Sequence, residues 1–487
     1  MDTILPYLFA SVPFVIVVLL ALSAVIGIGL GMVWPRFLVY PYLCVFFWVN
    51  STSYGSLNMF ASASIYTRGS GKLYFALVLW YVLGAWCCAR VSASFQGYRA
   101  PPCNLRPWFL GWFVLLVAHV GFARVSGVDL AAALAPSGFS NIVWMAPLIS
   151  LMLLSFRTHE HVRELACFIM LAALGRALFG LVRWAAFGGD PNNVYANMNA
   201  IKIRLTFFDI NDSLLCMVGF AIAAVHLFQV HQTERPRFWR GVEWMTLVTT
   251  ALCIVLSYRR TAWIGFVLGF LVVMMRFPLK RRIQLAMAAV PLGGAALVYV
   301  AMRRLTQTKG AGGGGLSSLF YDMQSARFGP ESERVLELKL AIADFLSNPL
   351  TGIGSWGRFA GYQRISWQAN PDGGLFLHSG ILHVGLKSGL LGLALLIGTI
   401  AAFVLFARRA LRTVPPQHLG LATAGVAAAA FMLPDLLVGT PIPQVRTTQM
   451  VAFALALPYL AAAVSGAARV AQPARAPAPL RPTLVPA

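Results

Sequence analysis

The sequence predicts an all-α polytopic membrane protein of about 12 transmembrane helices, with one large extramembrane loop carrying short amphipathic helices. Three observations carry this expectation. Of 487 residues, 59% are hydrophobic and 11% charged, and the mean hydropathy of +0.73 is too high for a soluble globular chain of this length. Apolar runs of 17 or more residues recur from the N-terminus to about Ala468, each long enough to cross roughly 30 Å of hydrocarbon as a helix. Basic residues cluster in the short stretches between these runs, as they do where loops are retained on one side of a bilayer.

Residues 4–60 are expected to hold one to three passes, because Pro35-Arg36 divides a long apolar stretch and 37–49 is short for a crossing. Met1–Pro6 has no basic residue, so the first apolar run reads as a span and not as a cleavable signal. Further spans are expected at roughly 73–89, 108–123, 139–156, 163–187, 207–230, 241–257, 260–276, 283–301, 379–407, 418–435 and 444–465. Their orientation follows from the basic clusters. Arg276–Arg282 (RFPLKRR) puts four cations into a turn between two apolar runs and is assigned to the cytoplasm, with Arg90, Arg99 and Arg106, with Arg235, Arg237 and Arg240, and with Arg408, Arg409 and Arg412. The chain then divides into an N-terminal bundle (1–301), a loop on the opposite face (302–378), C-terminal spans (379–466) and a Pro-, Ala- and Arg-rich tail (467–487) expected to be disordered in the cytoplasm.

The net charge of +22 has two readings, cytoplasmic retention of loops and binding of anionic substrates or membrane lipid headgroups; no nucleic-acid partner is expected. Seven cysteines (Cys44, Cys87, Cys88, Cys103, Cys167, Cys216, Cys253) lie in or beside spans without CxxC spacing, so neither disulfides nor thiolate metal sites are expected. Within the loop, Lys309–Gly315 (KGAGGGG) lacks the ending of a phosphate-binding P-loop and reads as a hinge or lid. Pro330-Glu-Ser-Glu-Arg334 predicts a helix start with Ser332 as N-cap, and Val335, Leu338, Ile342, Phe345 and Leu346 predict an apolar packing stripe until Asn348-Pro349 ends the run. Arg334 and Lys339 lie off that stripe, where they could reach phosphate.

Three stretches, in order, resemble the O-antigen ligase and polymerase superfamily of membrane glycosyltransferases. Ser257-Tyr-Arg-Arg-Thr-Ala-Trp263 is similar to the family's Ser-x-Arg-small motif. Arg334 followed by Asn348-Pro-Leu-Thr-Gly-Ile-Gly-Ser-Trp356 is similar to its Arg…Pro-Leu-x-Gly-x-Gly, and His378…Leu382…Gly389-Leu-Leu-Gly392 to its His-Asn-x-x-Leu…Gly-x-x-Gly helix. The resemblance covers roughly Arg204–Gly392. Two departures stand out: Ser379 follows the histidine in place of Asn, and two arginines occupy the first motif, where the following small residues favour Arg260 over Arg259.

The resemblance implies an O-antigen ligase in the bacterial inner membrane, with the 302–378 loop and the active site facing the periplasm. Its donor would be undecaprenyl pyrophosphate-linked O-antigen and its acceptor a sugar hydroxyl of lipid A-core, by inverting displacement. An O-antigen polymerase or a protein O-oligosaccharyltransferase shares this chemistry. From a different class, a lipid or solute transporter would also show many spans, but the sequence carries no internal repeat of that kind. A leaving pyrophosphate needs cationic stabilisation, for which Arg260, Arg259, Arg204 and Arg334 are the candidates. The acceptor hydroxyl needs a base, and His378 is chosen, because of the eight histidines only His378 and His383 fall at the loop junction. Arg176 and Arg183 inside a span, Lys387, Lys339, Asp435 and His383 are candidates to line the cavity. The loop acids are scattered, so transfer without metal or cofactor is expected.

Overall fold

The computed structural model describes residues 27–49, 66, 75–191, 204–228, 236–307, 330–366, 368–369 and 373–471. It is 76% helix, with no strand among the described residues. In chain order the helices are α1 (Gly27–Val33), α2 (Arg36–Trp48), α3 (Leu77–Phe95), α4 (Arg106–Val125), α5 (Leu130–Ala133), α6 (Ser140–Ser155), α7 (His159–Ala186) and α8 (Ile210–Phe228). They continue as α9 (Arg237–Val255), α10 (Arg260–Met274), α11 (Leu279–Gln307), α12 (Pro330–Ser347), α13 (Gly380–Thr413), α14 (Pro416–Phe431), α15 (Leu433–Val438) and α16 (Val445–Ala471).

Every span proposed between residues 73 and 465 coincides with one of these helices, but the count of about 12 is not reached on length and composition. Among the described residues, seven helices are long and apolar enough to cross a membrane, or eight if α1 and α2, bent by 118°, form one broken span. The break lies at Pro35-Arg36, the division read from the sequence. With 15 residues, α10 is only about 22 Å long, and α9 begins with Arg237, Arg240 and Glu243. α16 runs on to Ala471, past the boundary expected at Gly466; residues 472–487 lie outside the described residues.

The centre of the bundle is α8. All but its last residue are buried, which an apolar helix tolerates only when it is surrounded by other helices. α7, α9, α10, α14 and α16 pack around it. Small residues permit the close approach of α10 to α14: a Cβ on Gly265 would stand 2.3 Å from the Phe431 carbonyl, and one on Gly269, a turn later, 3.1 Å from that of Ala427.

Against one end of the bundle lie α12 and the described residues between Asn348 and His378, packed on the start of α13. Their small core is Ala341, Phe359, Ile365, Leu377 and Leu386. The Pro349-Leu-Thr-Gly-Ile-Gly354 motif docks backbone to backbone on α13: Leu390 N–H donates to the Pro349 carbonyl (2.7 Å) and Ile353 N–H to that of Leu386 (2.8 Å). To accept this contact α13 breaks at Gly389, whose φ of 65° and ψ of −159° suit glycine alone. A Cβ there would stand 2.2 Å from the Leu350 carbonyl. Gly389→Ala is therefore expected to cost at least about 1–3 kcal/mol from the backbone alone, read as a lower midpoint of thermal unfolding in detergent; an unchanged midpoint would refute the docking.

Candidate active site

The first motif is a reversal between α9 and α10. Ser257 Oγ donates to the Ile254 carbonyl (2.7 Å), and buried Tyr258 takes a φ of 55°, a conformation uncommon for a non-glycine residue. The turn leaves Arg259 as the residue before the helix and Arg260 as its first residue, both partly exposed. Arg259 donates to the Phe208 carbonyl and lies 3.6 Å from an Asp435 carboxylate oxygen. Arg204 is exposed beside this turn. Its neighbour Leu205 packs with Leu256 and Tyr258, and Thr206 N–H donates to the Leu256 carbonyl (3.2 Å).

The second part is a Glu337–His378 pair. Glu337 lies on α12, fully buried, and one of its oxygens accepts from both the backbone N–H (3.2 Å) and Nδ1 (3.1 Å) of His378. Its other oxygen accepts from the Gln368 side chain (2.6 Å). Glu337 cannot donate as a carboxylate, so its contact assigns the Nδ1 position a proton and leaves Nε2 as the nitrogen able to accept one. The His378 side chain retains 23% of its exposure. Immediately after it, Ser379 caps α13 by accepting from Leu382 N–H (3.3 Å). A capping role thus suits the serine that stands where the family motif has Asn.

These two parts meet at α15. That helix packs against both α10 and α13, and a Cβ on Gly380 would stand 3.1 Å from the Leu436 carbonyl. Asp435 of α15 touches Arg259 and lies within electrostatic range of His378. The Arg259 guanidinium and the His378 imidazole therefore both lie near Asp435 of this one short helix.

Other expectations are corrected. α12 begins at Pro330, two residues before the expected Ser332 cap, since proline is preorganised for the first helical turn. Its predicted packing stripe is not core: Val335, Ile342 and Leu346 are exposed, while Glu337 and Ala341 are the fully buried residues. The helix turns its polar Glu337 inward because three hydrogen-bond donations satisfy it there. The displaced stripe has another place, since Ile342 and Phe345 wall an apolar groove of about 270 Å³ with Ser379, Leu382 and Leu437, beside His378.

Arg176 and Arg183 pair inside the protein, Arg176 with Asp212 (3.1 Å) and Arg183 with Asp190 (3.0 Å), both over the Phe207 ring. Asp209 and Asp212 are partners of Arg446 (2.8 and 3.0 Å). Lys387 is buried and donates to the Gly357 carbonyl, pinning the docked motif. His383 is buried against the Gly138 carbonyl (3.0 Å), away from solvent. Arg334 is partly exposed on α12 and Lys339 exposed. Lys309–Gly315 lies outside the described residues. Among the described residues, no three His, Cys, Asp or Glu side chains converge as metal ligands.

The apolar helices of crossing length are those of a multi-pass membrane protein, with cations and a carboxylate-supported histidine at one end of the bundle. Residues 245–397 match the family described as O-Antigen ligase, a match that supports membership of the O-antigen ligase superfamily and a membrane glycosyltransferase-like enzyme. The match runs from α9 into α13 and includes Arg259, Arg260, Arg334, Glu337 and His378. No curated protein matches the chain in sequence.

Proposed function

We propose that the chain is an O-antigen ligase of the bacterial inner membrane, working at the periplasmic face. It transfers O-antigen polysaccharide from undecaprenyl pyrophosphate to a sugar hydroxyl of lipid A-core. The observation that carries this reading is the Glu337–His378 pair beside the arginine turn. His378 is the general base: Nε2 takes the acceptor hydroxyl proton as the oxygen attacks the anomeric carbon from the face opposite the pyrophosphate. The bond from anomeric carbon to pyrophosphate oxygen breaks, and its electron pair leaves with undecaprenyl pyrophosphate. The proton passes from the imidazolium to solvent. Direct displacement inverts the anomeric centre.

Arg260, Arg259, Arg204 and Arg334 supply the charge that a leaving pyrophosphate needs, through planar forks suited to phosphate oxygens. Arg259 is anchored through the Phe208 carbonyl and Asp435, so its position is set before substrate arrives. Glu337 is a positioning residue, acting through His378. The apolar groove walled by Ile342, Phe345 and Leu382 favours a donor with a hydrocarbon tail, because it opens beside the base. In this reading transfer is metal-independent, the arginines taking the part that a divalent cation plays elsewhere.

The test offers the purified full chain O-antigen polysaccharide on undecaprenyl pyrophosphate together with lipid A-core, in excess chelator. The expected product is polysaccharide on the core, with inverted anomeric configuration by NMR. Chain growth on the lipid carrier alone would instead identify a polymerase, and loss of transfer in chelator would refute metal independence.

A further inference from the structure

At the end of the bundle opposite His378, α10 and α13 stand apart, and α14 packs against both and floors the gap. The resulting cavity, about 390 Å³, has two kinds of wall. Val272, Phe403, Val404 and Val426 make it apolar, while Arg276, Arg408 and Arg412 gather at its mouth.

No carboxylate lies on the elements that wall the cavity. The sequence contains no Asp or Glu between Glu243 and Asp322, nor between Asp372 and Asp435, which spans every element around the cavity. Among the described residues none of the three arginines pairs with a carboxylate. Arg276 donates one bond to the Leu411 carbonyl (3.3 Å), while its buried Nε has no partner. Burial, with the charges of Arg282 and Arg412, pulls its guanidinium below the ordinary arginine range. Arg282 differs, because it spans the turn by donating to the carbonyls of Phe277 (2.6 Å) and Met275 (3.0 Å). A cluster of like charges around a half-buried guanidinium is costly unless an anion completes it.

We propose that this cavity binds one anionic phospholipid, its phosphate between Arg276, Arg408 and Arg412 and an acyl chain along Val272, Phe403 and Val404. An apolar wall continuous with a cluster of arginines at a helix end fits a phosphodiester that carries hydrocarbon, not a free anion. The site is separate from the transfer chemistry, and its occupancy stands or falls independently of it.

The test is native mass spectrometry of the detergent-purified full chain titrated with phosphatidylglycerol or phosphatidylcholine. One phosphatidylglycerol is expected to survive at energies that strip phosphatidylcholine, and inorganic phosphate in large excess should leave it in place. Arg408→Gln/Arg412→Gln changes only exposed residues, so the fold is retained, and about fivefold weaker binding is expected per arginine removed. Arg90→Gln/Arg99→Gln makes the same charge change elsewhere at that end and should leave binding unchanged. Equal retention of the two lipids, displacement by phosphate, or undiminished phosphatidylglycerol binding in the Arg408/Arg412 variant would each overturn the proposal.

Discussion

His378→Ala is expected to lower the turnover of glycan transfer by about 10²–10⁴-fold, the usual contribution of a positioned base, while the protein remains folded and inserted. The imidazole acts on a proton that moves in the transition state, so kcat should fall much more than the donor's KM rises. Loss of donor affinity with kcat preserved would move His378 from the reaction to binding. The fold should tolerate the change, because the side chain keeps 23% exposure and its hydrogen-bond partner is Glu337, a residue of the same surface-packed segment. Glu337 provides the internal comparison. Glu337→Gln keeps an oxygen able to accept from Nδ1 and should retain more turnover than Glu337→Ala, whose imidazole can rotate. Wild-type transfer in His378→Ala would remove the base, and equal turnover in the two Glu337 variants would remove the positioning role.

The helices are legible in the sequence because each is an apolar run of crossing length or nearly so, and such runs have few other uses. His378 is legible for a similar reason: histidines are few in this chain, and its place at the loop's end is visible in one dimension. Glu337 is not, because its meaning lies in a hydrogen bond across 41 residues, and on its own helix it reads as one more solvated acid. The same helix misleads on packing. An apolar stripe at helical spacing normally marks the buried face, but a membrane lets such a stripe remain open, and here it walls a groove. Arg176 and Arg183 are recognisable as unusual for a span, yet their partners Asp212 and Asp190 can be assigned only once the chain is folded. Arg446 gives no such signal, because it lies near the start of its helix, where an arginine reads as an interfacial anchor.

Arg446→Leu is expected to be among the most destabilising single changes in the chain, at about 3–5 kcal/mol, the cost of breaking a buried ion pair by removing one partner. The guanidinium is almost wholly buried and donates to Asp209 (2.8 Å), Asp212 (3.0 Å) and the carbonyls of Phe46 (3.1 Å) and Phe47 (3.3 Å), joining α2, α8 and α16. With Arg176 on Asp212, the cluster holds equal numbers of positive and negative charges. Removing Arg446 leaves one buried carboxylate in excess. Arg446→Leu/Asp209→Asn restores the balance, since Arg176 and Asp212 remain paired, and should recover much of the lost stability. Thermal unfolding in detergent decides between the cases: a double variant less stable than the single one would show that charge balance is not what the cluster maintains. The effect should extend to transfer as well. Asp209 follows Phe208, whose carbonyl holds Arg259, so a carboxylate seeking solvent at 209 would loosen the anchor of a pyrophosphate-binding arginine. Activity in Arg446→Leu should therefore fall even at temperatures where the variant remains folded, and return with stability in the double variant.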